Sequence, residues 1–218
     1  MIVAGCLVLA GPLLFGCGDD DPVTPPPQKS SPYKNLLNKD DILFNLELAY
    51  NKRDFEQFEK LLDDSLIFVF SEEDFNAGDV PFHQWDRDHE TNANQNILDP
   101  NLEGDQRLVT IDLSLDDTAD DWTPEPPNQN HPDETRYKKT VEYFLVVKRA
   151  DGWEFRTGYN KKAELTIRRD DSTARWQIVL WRDEVRVSQG LAPGEDTVID
   201  ITWGVIKAQY YVRPKNEG

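Results

Sequence analysis

The chain holds three histidines, and one of them, His89, stands in a pattern that could do chemistry. Phe82, Trp85, His89, Asn92 and Asn96 recur at steps of three and four. A helix from about Pro81 to Leu98 would therefore carry a histidine and two amides on the same stripe as two aromatics. On such a face His89 could serve as acid, base or ligand contact, because imidazole titrates near neutral pH. It could equally be a hydrogen-bonded structural residue, or face water on a slightly rotated helix. Metal chemistry has less to build on. His89-Glu90-Thr91-Asn92-Ala93 lacks the second histidine of a zincin helix, and His83 with Asp86 and Glu90 is a loose, carboxylate-rich set. The run Asp116 to Asp121 lacks the glycine turn and distal glutamate of an EF-hand, and His131 falls in a loop. The sequence contains no glycine-rich phosphate loop and no Gly-x-Ser-x-Gly turn, and both cysteines, Cys6 and Cys17, lie near its start. No catalytic residue, metal or cofactor is expected on these grounds.

Composition narrows the partners. The 218 residues carry 24 Lys+Arg against 41 Asp+Glu, a formal charge of −17 that would repel a phosphate backbone and excludes nucleic acid as a partner. Six Trp, seven Tyr and ten Phe supply core material that a disordered chain would lack. The charge is unevenly placed: residues 1–135 hold 29 acids and 8 bases, whereas residues 136–218 hold 12 acids and 16 bases. The basic excess in the second part reads either as an anion-binding face or as the solvated outer positions of an exposed sheet.

Residues 1–17, MIVAGCLVLAGPLLFGC, contain no charge, are interrupted by Pro12 and are short for a membrane span, so they read as a secretory signal. Leu14-Phe15-Gly16-Cys17 resembles the bacterial lipoprotein signal, which implies lipidation at Cys17 and a mature chain beginning there. Cys6 is followed by more apolar chain and fits less well, and an uncleaved N-terminal anchor is the plainer alternative. Residues 18–37 are acidic and Pro-rich, the composition of an extended tether. With Cys17 lipidated, no free cysteine would remain, so the domain at residues 38–218 would have to stand on its hydrophobic core. The resemblance implies a cell-envelope protein, lipid-anchored to the outer membrane and facing periplasm or exterior.

From Asn38 the periodicity is helical. Ile42, Leu43, Leu46, Ala49 and Tyr50 share one face. Asp54, with Gln57 three residues on, caps a second helix bearing Phe55, Phe58, Leu61 and Leu62. Leu66 to Phe70 is a continuously apolar strand. After the helix from Pro81, Val109, Ile111, Leu113 and Leu115 alternate with Leu108 and polar residues, and long strands are expected over 137–149, 153–169 and 174–187. Residues 197–212 are expected to add a further strand, or a strand plus a turn. Strands this long must twist and bulge, curling the sheet around the helices. The fold class is α+β, with N-terminal helices packed on a curved antiparallel sheet.

The opening Leu48-Ala49-Tyr50-Asn51-Lys52-Arg53-Asp54-Phe55 through Leu66-Ile67-Phe68, and the closing WQIVLWRDE (176–184) and TWGVIKA (202–208), resemble the NTF2-like superfamily, which includes SnoaL-like cyclases and ketosteroid isomerases. The resemblance implies a cone whose pocket lies between helices and concave sheet, lined by Tyr50, Phe68, Phe70, Trp85, His89, Asn92, Asn96, Tyr143 and Trp176. It also implies an alternative catalytic reading, an isomerase, dehydratase or cyclase using His89 and Tyr50, although no complete set of family residues is matched. Asp112 could also reach the pocket if the strand register allows. Trp122, in a long Pro-rich loop, either contacts a partner or folds back on the cone. Val179 and Trp181 alternate with Trp176, Ile178 and Leu180, and so would form an apolar outer patch for a protein partner or a second copy of the chain. A binding module for a small apolar ligand or a protein is the leading expectation, held to the membrane at Cys17.

Overall fold

The computed structural model describes residues 31–116, 121–126, 134–157, 161–184 and 201–211. The described residues from Tyr33 onward form one compact unit, which begins a few residues before the expected boundary because Leu36 is buried and Lys34 N–H bonds the Asn45 side chain at 2.9 Å.

Helix α1 (Asp41–Lys52) starts where the Asn38 N–H donates to Asp41 and stops where Arg53 turns left-handed. Asp54 then caps α2 (Phe55–Glu59) through the Gln57 N–H, as the sequence indicates. Strand β1 (Leu62–Val69) turns Leu66 and Phe68 inward, while Ile67 and Val69 remain half-buried. A short helix, α3 (Glu72–Ala77), is capped by Ser71 and closed by Gly78 at φ +82, a conformation that favours glycine. Next come β2 (Gln84–Asp86), α4 (Arg87–Leu98), β3 (Leu108–Asp116), β4 (Thr123–Pro124), β5 (Arg136–Arg149), β6 (Glu154–Arg156), β7 (Lys161–Arg169), β8 (Trp176–Glu184) and α5 (Trp203–Tyr210). The sheet runs β2-β1-β8-β7-β5-β3, with β4 and β6 also paired to β5. Its pairings are antiparallel except for β1 on β8, which makes the sheet mixed. Two helices, a first strand, two further helices on either side of a short strand and then the rest of the sheet follow one another, and the architecture is α+β, with helices packed on a mixed sheet.

Four expectations are corrected. The helix placed from Pro81 begins only at Arg87, because residues 84–86 pair with β1 and the Asp86 side chain accepts from the His89 N–H at the true N-terminus. The strand expected over 153–169 is two strands, β6 and β7, pairing different stretches of β5. The segment read as a strand over 197–212 contains helix α5, capped by Thr202, whose hydroxyl accepts from the Val205 N–H. In β8 a bulge at Val179 changes the phase: Thr166 faces Leu180 and Ile167 faces Ile178, with nothing opposite Val179. Trp181 therefore joins Trp176 and Ile178 in the core, and Val179 is buried as well. The expected outer patch of Val179 and Trp181 does not exist.

The edge strand β3 is covered by α1. Asn51 uses both ends of its amide on Leu113, donating to the carbonyl at 2.9 Å and accepting from the N–H at 2.7 Å, and Glu47 accepts from the Leu115 N–H. This satisfies backbone groups that an edge strand otherwise leaves open. The irregularity in β1 opposite β8 is organised by buried Asp63, which accepts from the Ser65 N–H and hydroxyl and from Arg168 Nε and Nη2. Burial opposes ionisation of Asp63, but the bonds from Ser65 and Arg168 outweigh it and hold the carboxyl below its ordinary value. A lowered folded-state value contributes stability above the unfolded value, lost as pH falls. Asp63→Asn should lower stability at pH 7 by about 2 kcal/mol, and should flatten the acid-side loss in urea unfolding measured between neutral pH and pH about 3.

Candidate functional site

The space between helices and sheet is where the resemblance puts a pocket, and side chains of α5 reach into it. Trp203 is fully buried: its ring lies 4.5 Å from Trp181 and 4.9 Å from Tyr50, centroid to centroid, both edge-on. Its indole N–H donates to the Tyr50 hydroxyl at 3.0 Å, and Tyr50 donates in turn to the side-chain oxygen of Asn94. Asn94 donates to Glu90 Oε1 at 2.9 Å, and the Trp85 indole N–H donates to Glu90 Oε2 at 2.9 Å. One turn beyond Trp203, Lys207 is also fully buried, with Nζ 2.6 Å from Glu90 Oε1, 3.5 Å from the Trp181 ring centre and 3.9 Å from that of Phe68. Desolvation lowers the lysine pKa, and the adjacent Glu90 carboxylate counters it.

A second set holds the start of α5. Asp183 accepts from the Tyr143 hydroxyl at 2.7 Å and from the Gly204 N–H at 2.6 Å, while Tyr143 accepts from the Trp203 N–H at 3.1 Å. Thr202 donates to Asp74 at 2.6 Å. Burial pushes the Asp183 carboxyl up to about 6 against the pull of these hydrogen bonds, and it raises the phenols of Tyr50 and Tyr143 well above their ordinary value. Gly204 is required by proximity: a Cβ there would lie 2.9 Å from the Phe70 ring and 3.1 Å from Asp183.

The sequence candidates divide accordingly. Tyr50, Phe68, Phe70, Trp85 and Tyr143 do surround one interior, but the polar atoms of Tyr50, Trp85 and Tyr143 bond to Asn94, Glu90 and Asp183 and to Trp203 of α5. Trp176 is buried beside Tyr137, its ring edge-on at 5.5 Å. His89 lies outside this network: it is half-exposed, its Nδ1 is 2.6 Å from Asp86, and it stacks on Tyr211 at 5.0 Å. Asn92 is half-buried, and Asn96 donates to the Tyr210 carbonyl. The inward residues of α4 are Glu90, Ala93, Asn94, Ile97 and Leu98, so the stripe inferred through His89 is displaced on the helix. His89 and Tyr50 share no partner, and the catalytic pair is not assembled. Asp112 is exposed on β3. Trp122 folds back, packing on the core and donating to Asp40 at 2.9 Å. His83 stacks on Phe75, and Glu90, directed inward, cannot join it and Asp86 on a metal; among the described residues no three ligand-type side chains converge. Cys6, Cys17 and His131 lie outside the described residues, as does most of the acidic run after Asp116. Among the described residues no helix is long and apolar enough to cross a membrane.

Sequence reasoning missed the inward direction of Glu90, and missed Asn94, Asp183, Trp203 and Lys207. A signal for the last two was present: Thr202 as cap, followed by Trp203, Ile206, Lys207 and Tyr210 at helical spacing.

No family model and no curated protein matches the chain. Among solved structures it is similar to a conserved protein from Planctomyces limnophilus, at 15% identity over 66% of this chain and 91% of that one, with a TM-score of 0.46. It is similar to an NTF2-like protein of unknown function in nutrient uptake from Rhodospirillum rubrum, at 18% identity over 69% and 99%, TM-score 0.42. A putative aromatic ring hydroxylase from Novosphingobium aromaticivorans is similar at 11% identity over 73% and 94%, TM-score 0.44. Likeness at this level carries no functional information.

If Trp203 fills the cone, Trp203→Ala should leave an indole-shaped void and cost about 3–5 kcal/mol. Added indole should then raise the Tm of the variant and leave that of the wild type unchanged, as read by differential scanning fluorimetry. An equal response in both proteins would show that the interior is already open.

Proposed function

We infer that this chain is a lipid-anchored protein of the bacterial cell envelope whose NTF2-like domain works as a binding module without catalysis. The observation that carries the second part is the occupation of the cone by α5: Trp203 and Lys207 take the partners that a ligand or reacting group would need. The phenols of Tyr50 and Tyr143 and the carboxyl of Asp183 have the residue types of an acid–base site. Their hydrogen bonds run to other side chains and to the backbone of α5, which is the arrangement of a structural network. Binding is accordingly assigned to the outside of the domain, to a protein or small molecule. Support for the anchor is in the sequence: an uncharged apolar segment ending at Gly16-Cys17, then an acidic Pro-rich stretch that suits a tether between membrane and domain. The outer membrane, facing periplasm or exterior, is the proposed location.

Fractionation of bacteria expressing the full chain tests the anchor. The wild type should sediment with membranes and incorporate a radiolabelled fatty acid, whereas Cys17→Ser should lose the label and leave the membrane fraction. Unchanged labelling and fractionation of the variant would overturn the assignment.

A further inference from the structure

With the interior closed, the outside of the domain offers a recess of about 410 Å³, lined among the described residues by Gln106, Arg149, Trp153, Phe155, Gln209 and Tyr210. That volume falls within the roughly 300–1,000 Å³ usual for small-molecule sites. Three parts of the chain meet there: the turn before β3, the hairpin from β5 to β6, and the end of α5. Trp153 is 56% exposed, an unusual position for so large an apolar ring. It is held in place all the same. Its carbonyl accepts from the Arg149 N–H at 2.8 Å, its N–H donates to Asp151 at 3.1 Å, and its ring lies nearly parallel to that of buried Phe155, at 21° and 6.4 Å. The opposite wall is fixed by the Tyr210 hydroxyl, which donates to the Gln106 carbonyl at 2.6 Å.

The charge of the recess defines its ligand. Arg149 Nη2 lies 2.6 Å from Asp151 Oδ2, so the guanidinium in the lining is already paired and the recess offers no net charge to draw either an anion or a cation. What remains is a neutral ligand with one apolar face for the indole and a rim of hydroxyls for planar side chains. The amides of Gln106 and Gln209 each offer a donor and an acceptor, and the guanidinium adds further donors in a fixed plane. We propose that this recess, built around Trp153, is a binding site for a neutral saccharide, whose C–H face packs on the indole while adjacent hydroxyls pair with Gln106, Gln209 and Arg149. The assignment deepens the reading of the chain as a binding module and depends on its closed interior.

The test is titration of the full-length, ¹⁵N-labelled chain, in a detergent without a sugar headgroup, with maltotriose and with chitotriose at millimolar concentrations, following the indole N–H resonances. At least one trisaccharide should shift the Trp153 signal saturably and leave that of Trp203 in place. Trp153→Ala should weaken binding at least about tenfold, and Trp153→Tyr should retain most of it. Near-UV circular dichroism should report an intact core in both variants, since the Trp153 ring is largely outside it. No saturable shift with either sugar, or binding unchanged in Trp153→Ala, overturns the proposal. A saturable shift at Trp203 in place of Trp153 also overturns it, and in addition marks the closed-interior reading itself as wrong.

Discussion

An ammonium group sealed from water inside a shell of aromatic rings has to be paired, and the pairing of Lys207 with Glu90 is the constraint on which this structure turns. Both side chains have no exposure. Desolvating two charges is expensive, and their attraction repays it only where the remaining protons and lone pairs are also met. Here the lone pairs of Glu90 are met by two further donors. Trp85 and Asn94 donate to the two carboxylate oxygens of Glu90, and the faces of Trp181 and Phe68 receive the ammonium. The partners come from α4, α5, β1, β8 and the strand just before α4, so forming the pair commits those elements to one arrangement.

From this pair the interior follows. α5 must approach closely enough for Lys207 to reach Glu90, which brings Trp203 between Tyr50, Tyr143 and Trp181 and leaves room only for glycine at 204. The backbone N–H groups at the start of α5 then need acceptors within the protein, supplied by the Tyr143 hydroxyl, Asp183 and the Thr202 hydroxyl. A cone that could hold a ligand is converted into a core with a polar framework. Its tyrosines and carboxylates would read as chemistry in a list of residues; their partners make them structure. The proposed recognition site lies outside this core, where the hairpin bearing Trp153 and the end of α5 meet.

Much of this was legible in the sequence, and the parts that were not have identifiable causes. The cap at Asp54 and the helical face of α1 agree with the sequence because the interactions that form them lie within a few residues, whereas the stripe expected for the second helix runs too far: α2 ends at Glu59, and Leu62 already belongs to β1. Bulges are not local. A single extra residue at Val179 moves Trp181 from the outer face to the core, and the alternation of apolar residues along β8 gives no warning of it. On α4 the aromatic and amide stripe suggested an inward His89, but apolar content is low on that helix and its buried face is set by tertiary partners. Glu90 and Asn94 point in because a lysine from the far end of the chain lies opposite. The segment around TWGVIKAQY reads as a strand, or a strand plus a turn, being β-branched at Thr202, Val205 and Ile206. The decisive term, burial of Trp203 and Lys207 together, depends on contacts across more than a hundred residues.

The most direct measurement of this account is a double-mutant cycle on the buried pair, read by urea unfolding of the full chain at neutral pH. Lys207→Met leaves the Glu90 carboxylate buried beside an apolar group and should cost about 3–5 kcal/mol. Adding Glu90→Gln removes the stranded charge while keeping an acceptor for one of its donors, and should restore most of that loss, giving a coupling energy well above the scatter of independent sites. Additive effects with no coupling, or a Lys207→Met variant as stable as the wild type, would contradict the claim that this pair holds α5 in the cone.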